Sequence, residues 1–408
     1  MLKTPIPRTV TLAALMSAAA VAVSGTGHAQ EKFVFGGLLP LTGPASLFGP
    51  GMSTAVEVAV ADINAAGGVR GATAELVTAD DACDANIAAR SLDRLLGQGA
   101  KAIMGTGCSN VTLALLDKIQ SSKVSMCSGA NTAPQLTTAP SGGYFARSSI
   151  SQVMQGPVMA QAVLQDGNSN VAILSRGDPF SEGLSTATRK TLESRGARIV
   201  KYIVYDPAQT AFEAEVAAIV AARPDAIVSV GRDERGPIFR LLIERGFGPT
   251  KVGWYTPAGI TPEFYKLVDP SNPGVLKGLK QMAPTKASPT TDFGKRLLAK
   301  NAGIKEFLFA AEQYDCTIIT ALAAEAAKST DPAVYKDAVA GVTRGETQCK
   351  SYAECLPLAK AGKSFAYIGP TGPIYMSDAR EPTRAAIQIL EVDDKGVVQP
   401  KKLVEVGH

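Results

Sequence analysis

A chain of 408 residues is too long for one ordinary compact domain and long enough for two. Hydrophobic residues make up 46% and charged residues 19%, a globular balance that excludes a disordered or fibrous chain. The 41 Lys and Arg against 37 Asp and Glu leave a formal net charge of +4, evenly spread and with no basic block among aromatics, which excludes nucleic acid as the partner.

Lys3 and Arg8 precede the apolar run 9–23, and Gly27 and Ala29 place small residues before a cleavage point. The pattern predicts a signal peptide over residues 1–29 and a soluble, exported mature chain from near Gln30, hence a periplasmic location. Loss of Lys3 and Arg8, with no acid, lowers the net charge from +4 to +2. The run is short for a membrane anchor, no Cys stands nearby for a lipid, and no later run is long and apolar enough to span a bilayer.

Six cysteines suit an oxidising compartment. Cys349 and Cys355 close a short loop, and Cys83 and Cys108 each follow a strand-like run in adjacent βα units, so both pairs are expected as disulfides. Cys127 and Cys316 form a third by elimination or remain two buried thiols. The spacings and the lack of histidine do not fit zinc.

From residue 32 strand-like runs alternate with amphipathic ones. Strands are predicted over 32–39, 74–83, 100–107 and 124–130, with helices over 51–66, 86–97 and 110–123. After "GGYFARSSIS" the alternation restarts: helices over 153–167, 181–196, 211–224 and 236–248, strands over 170–178, 197–206, 225–233 and 251–259. More helices follow over 291–301, 311–329 and 332–341, then strands over 372–377 and 385–394. This order predicts an α/β fold of two doubly wound parallel-sheet lobes facing across a cleft. Ligands in such sheets bind beyond the carboxyl ends of the strands.

Enzyme readings fail on the residues. The only histidines are His28, in the leader, and His408, so Cys127, Ser128 and Ser185 have no imidazole base. "GTGCSN" carries Asn110 where a dinucleotide loop needs its third Gly, and in "PLAKAGKS" Pro357 replaces the first Gly of a phosphate loop. Asp80, Asp81 and Asp84 read as a helix cap beside a disulfide, not as a metal site. No cofactor is implied.

Two neighbouring strand ends carry hydroxyls beside helix starts. Ser109 and Asn110 stand before the helical run "VTLALLDKIQ", and Thr132 precedes Ala133-Pro134 in the stretch "VSMCSGANTAPQLT". Free amides at a helix start suit a carboxylate, and the Gly129–Asn131 run offers backbone for close approach. Helix capping alone is the competing reading.

The segments "LLPLTGPASLFGPGMSTAVEVAVADINAAGGVRG", "DDACDA", "GTGCSN", "ANTAPQLT", "DPFSEGL" and "RGPIFRLLIERGF" together resemble the periplasmic leucine/isoleucine/valine-binding proteins of ABC importers, type I periplasmic binding proteins. The likeness implies lobes of residues 30–148 plus 284–368 and 149–283 plus 369–408, joined by three hinge crossings near Arg147–Ser149, Met282–Pro284 and Ile368–Gly372. It implies that Ser109, Ala130 and Thr132, with neighbouring Asn131, hold a ligand carboxylate, that Phe48 and Phe180 line the pocket from opposite lobes, and that Cys83 pairs with Cys108. Two departures bear on the ligand. The family's amino-acid binders carry an acid where this chain has Ala258, and an aromatic hydroxyl is replaced at Arg232. A buried ammonium without a counter-charge is costly. The ligand is therefore a branched-chain amino acid, its ammonium met by Asp178, Asp233 or Glu234, or a non-amino aromatic or aliphatic acid against Phe48, Phe180 and Tyr255. The expected function is a monomeric solute-binding subunit working with an inner-membrane ABC permease; a ligand-sensing receptor module is the alternative of another class.

Overall fold

In the computed structural model, which describes residues 1–5, 31–284 and 287–407, the strand–helix alternation resolves into separate sheets. The expected signal peptide falls almost wholly on 6–30, outside the described residues. The first sheet takes β1 (Lys32–Leu39), β2 (Thr73–Asp80), β3 (Ala100–Gly105), β4 (Ser125–Ser128) and β5 (Phe145–Arg147) in the order β2-β1-β3-β4-β5, every neighbour parallel. The connecting helices are α1 (Gly49–Ala65), α2 (Ala85–Gly97), α3 (Ser109–Ser121) and the short α4 (Gln135–Thr138). Both faces of β1 are covered: Phe33 and Phe35 enter one core cluster, Val34 and Leu38 another. The aspartates after β2 are all occupied by backbone. Asp84 caps α2 through the Asn86 and Ile87 amides, Asp80 accepts from Leu41 and Thr42, and buried Asp81 accepts from Cys83 and Gly107.

The chain then forms α5 (Gln152–Gln165), β6 (Asn170–Arg176), α6 (Pro179–Ser194), β7 (Arg198–Tyr205), α7 (Glu213–Ala222), β8 (Ala226–Val230), α8 (Arg235–Glu244), β9 (Gly253–Pro257), α9 (Pro262–Val268) and β10 (Lys280–Pro284). It returns to the first unit with α10 (Asp292–Lys300), α11 (Ala310–Ala326), α12 (Pro332–Tyr335), β11 (Thr347–Cys349), α13 (Tyr352–Lys360), β12 (Phe365–Gly369) and β13 (Gly372–Pro373). It ends with β14 (Arg384–Val392) and β15 (Val398–Gly407) on the second sheet, ordered β15-β14-β10-β9-β8-β6-β7.

This second sheet is parallel from β10 to β7, but β14 and β15 pair antiparallel at its edge. The last strand was not evident in the sequence, because its exposed, Lys-rich run lacks a buried face. The strand expected over 372–377 shrinks to two residues: Pro373 has no amide to donate, and Tyr375 turns left-handed at φ 46°. Gly372–Pro373 still pairs with Ile368–Gly369 beside α11, so the chain passes to the second sheet between Pro373 and Arg384, later than the Ile368–Gly372 position expected for that crossing.

α11 is buried from Ala310 to Glu325 and packs within the core of the first unit. The Cys127–Cys316 disulfide ties it to β4, and Cys83–Cys108 and Cys349–Cys355 are also formed. Ser148 Oγ, in the first crossing, donates to the Glu312 carbonyl at 2.6 Å. The Glu312 side chain reaches a small cavity lined by Ser148, Pro284, Thr371 and Arg384, and its buried Oε2 has no hydrogen-bond partner among the described residues. Burial raises the Glu312 carboxyl to about 8 and Asp315 to about 7, the latter despite hydrogen bonds from Tyr367 and Thr371.

Two outcomes follow. The Cys127–Cys316 bridge spans 189 residues and Cys349–Cys355 only 6, so chain entropy favours the former by about 3 kcal/mol. Urea unfolding of Cys127→Ala/Cys316→Ala is expected to show a loss of about 2–5 kcal/mol, larger than that of Cys349→Ala/Cys355→Ala; equal losses would contradict this. Folding raises the proton affinity of Glu312, so its contribution is complete below the unfolded value of 4.5 and is lost as pH rises through about 8. Glu312→Gln is therefore expected to flatten the fall in Tm between pH 5 and 9 and to match wild type near pH 4. An unchanged slope would refute that assignment.

Candidate ligand-binding site

The carboxyl ends of the strands in both sheets converge on one cavity of about 140 Å³. From the first sheet come Phe48 after β1, Cys108 and Ser109 after β3, and Ala130 and Thr132 after β4. From the second come Phe180 after β6, Arg232 and Arg235 after β8, and Ala258 after β9, with Met282 and Pro284 at the end of β10. The rings of Phe48 and Phe309 meet edge-on at 5.5 Å and form the apolar wall.

Cys108, not Ser109, is the N-cap of α3, and no side chain caps the helix. Ser109 is its first residue and lines the cavity; the Val111 amide bonds Cys108 O at 3.1 Å, while the Ser109 and Asn110 amides have no intrahelical acceptor among the described residues. Ser109 Oγ accepts from the Ala133 amide at 3.3 Å, which joins the two strand ends. Thr132 is 2% exposed and its hydroxyl meets no partner among the described residues. It does not cap a helix as the sequence suggested, because Pro134 stands at the N-cap of α4.

Two neighbours do not face the ligand space. Asn131 is fully buried: its amide donates to Thr106 O at 3.0 Å, and its Oδ1 accepts from Thr112 Oγ1. A side chain so matched beneath the loop is a scaffold for it, and the expected contact from Asn131 is corrected. Gly129 makes room for α11, not for a ligand: a Cβ there would stand 2.5 Å from the Gln313 amide nitrogen. The Gly129 amide donates to Gln313 Oε1 at 3.0 Å.

Tyr255 is likewise outside the cavity. Strand alternation sends its ring to the face of β9 that packs on α5, where the hydroxyl donates to Asp166 and accepts from Asn168. Desolvation, reinforced by Asp166, holds that phenol well above its ordinary pKa. Ala258 does line the cavity, and its amide is bonded to Met282 O at 2.8 Å.

The second-sheet wall is strongly charged. Arg176 lies 3.0 Å from Asp178 and 3.2 Å from Glu234. Asp178 also caps α6, and Glu234 also accepts from Tyr205 and the Arg232 amide. Two of the three acids weighed as ammonium partners, Asp178 and Glu234, are thereby engaged, and their charge is turned towards Arg176. Asp233 sits exposed at the mouth. Arg232 lies 3.9 Å from Asp178 and 3.8 Å from Cys108 Sγ across the cleft, with Phe180 at 5.8 Å. Opposite it Asp81 is raised to about 6 by burial.

Arg235, Gln155, Leu308 and Phe309 line the cavity without having been singled out in the sequence. Arg235 lies within "RGPIFRLLIERGF", so only its role was hidden. Phe309 follows from no sequence pattern, because a left-handed φ of 68° at the N-cap of α11 aims it.

Comparison with known proteins accords with this geometry. Residues 32–397 match the family described as periplasmic binding protein. The chain is 28% identical to the leucine-, isoleucine-, valine-, threonine- and alanine-binding protein of Pseudomonas aeruginosa over 221 residues, 52% of this chain and 59% of that protein. It thus spans little more than half the length of such curated relatives. Its fold is shared with the branched-chain amino acid transporter substrate-binding protein of Streptococcus pneumoniae in complex with isoleucine, at a TM-score of 0.73 and 20% identity, covering 92% of this chain and 100% of that one. It is shared equally with a solute-binding protein of an R. palustris ABC transporter in complex with 4-hydroxybenzoate, at 0.73 and 18% identity, covering 92% and 97%. With the match extending over nearly all of the chain, this protein belongs to the periplasmic binding protein family, whose members bind solutes and are not enzymes.

Proposed function

We propose that this chain is the exported solute-binding subunit of an ABC importer and that its solute is a small carboxylic acid without an α-amino group. The observation that carries this reading is the buried Thr132 hydroxyl, unpartnered among the described residues, which shares a cavity with Ser109 at the start of α3. A carboxylate would complete both: it accepts from the hydroxyl and lies at the positive end of the helix. On the far wall, among the described residues, Asp178 and Glu234 are engaged by Arg176 and Asp233 is exposed, so beside Ala258, Phe180 and the arginines no buried, unpaired carboxylate waits for an ammonium. Phe48 and Phe309 suit an aromatic or aliphatic body.

In this reading residues 1–29 direct export and are removed, and the mature chain acts as a monomer. The lobes close about the three crossings, and the closed form docks on a permease in the inner membrane. Ligand binding would draw the lobes together because the cavity takes its walls from both. A branched-chain amino acid is the second reading. It is favoured by the relatives' ligands and by Asp233, an acid at the mouth that could receive an ammonium.

Calorimetric titration with benzoate, hexanoate, leucine and isoleucine separates the two. The organic acids are expected to bind; binding of the amino acids alone would overturn the first reading. Ser109→Ala/Thr132→Ala is expected to weaken the bound acid by about 10- to 100-fold, and Thr132→Ser to restore part of the loss. Undiminished affinity in the double variant would rule out the carboxylate seat.

A further inference from the structure

Arg235 is 2% exposed, yet no carboxylate among the described residues stands within ion-pair distance of it. Its Nε donates to the Arg232 carbonyl at 2.9 Å, its Nη1 donates to Thr256 Oγ1, and the guanidinium carbon lies 5.3 Å from the centre of the Phe264 ring. All three partners are neutral. Burying a guanidinium among neutral groups is costly, and the cost falls if an anion joins them. The acids nearest in sequence do not serve. Glu234 is held by Arg176, Tyr205 and the Arg232 amide, and Asp233 is exposed at the rim.

Arg235 nevertheless reaches the cavity, and Gly259 is what allows it. Gly259 has a φ of +129° and lines the same space, and a Cβ there would stand 3.0 Å from Arg235 Nη2. Arg232, on the same wall, has its closest acid at 3.9 Å. One wall of the cavity thus carries two guanidiniums, while the opposite wall carries the Thr132 hydroxyl and the start of α3. Arg232 also reaches the start of α3, with Nη2 3.8 Å from Cys108 Sγ, and Phe48 and Phe180 line the space beside it.

We infer that the ligand is a dianion: a small dicarboxylic acid, aliphatic or aromatic, with one carboxylate at Thr132 and α3 and the second on Arg232 and Arg235. A planar fork of donors matches a carboxylate in two bonds, and such pairs are among the stronger polar contacts in proteins. The inference rests on the proposed carboxylate seat and adds the chemistry of the other end.

Matched pairs test it by calorimetry on the whole mature chain: hexanoate against adipate, and benzoate against terephthalate, with leucine alongside. In at least one pair the dicarboxylate is expected to bind about tenfold or more tightly than its partner. Arg232→Gln and Arg235→Gln are each expected to shrink that ratio, and Arg235→Lys to shrink it less. Because Arg235→Gln removes a buried contact, the wild-type ratio and the Arg232→Gln ratio decide the matter if that variant fails to fold. Equal or tighter binding of both monocarboxylates would overturn the inference and leave the carboxylate seat standing. Binding of leucine alone would overturn both. A dicarboxylate preference unaltered in the folded arginine variants would also sink it.

Discussion

The segment from Ser128 to Ala133 must satisfy its backbone polar groups from beneath, and the site depends on how it does so. Ser128 Oγ accepts from the Ala130 and Asn131 amides at 3.1 and 3.2 Å. Gln313 takes the Gly129 amide and Ser109 Oγ the Ala133 amide. Arg147, 1% exposed, donates to the carbonyls of Asn131 and Ala133, and Ser149 also donates to Asn131 O. The Thr132 carbonyl accepts from the Gln152 amide at 2.9 Å. With these bonds made, the Thr132 hydroxyl is still without a partner among the described residues.

The same bonds link the site to the crossing between sheets. Arg147 ends β5, Ser149 lies in the first crossing, and Gln152 begins α5. Arg147 is fixed in turn by Glu381, in the stretch that leads to β14, with Nε donating at 2.9 Å. The loop that would hold a carboxylate is therefore anchored to two of the segments that connect the units. Any rotation of one sheet against the other must preserve these bonds or break them together. A buried Arg–Glu pair is weak grounds for stability but suits a role in fixing geometry.

Much of this was legible in the sequence, for identifiable reasons. The βα alternation, the Cys83–Cys108 and Cys349–Cys355 pairs and the positions of Phe48, Ser109, Thr132, Phe180, Arg232 and Ala258 followed from periodicity, spacing and family likeness, and all six of those residues line the cavity; Cys127–Cys316 was one of two outcomes left open, and it is the one formed. The errors arose where proximity in sequence was taken for direction in space. Asn131 lies between two cavity residues but points down, because its amide has matched partners at Thr106 and Thr112. Tyr255 precedes the cleft loop by three residues, and strand alternation turns it to the opposite layer. Arg235 was hidden because a charged residue at a helix start reads as solvated. Only the packing of α8 on α9 and Phe264 shows it to be enclosed.

The two walls differ in kind, and that difference bears on how binding could drive closure. The first wall offers neutral donors, an amide turn and a hydroxyl, whose unmet bonds each cost roughly 1–3 kcal/mol when dehydrated. The second offers cations, whose desolvation costs more. Burial accordingly lowers the proton affinity of Arg232 and Arg235, with Asp178 and Glu234 respectively acting against that shift. A closed, empty cleft would carry both penalties at once, whereas an open cleft hydrates both walls. An anion between them relieves both penalties only when the walls are near each other, which is the differential affinity that a population shift requires. A neutral apolar solute of the same shape would fill the space yet leave Arg235 without a counter-charge. If the solute is the proposed anion, its charge, more than its bulk, would select the closed form.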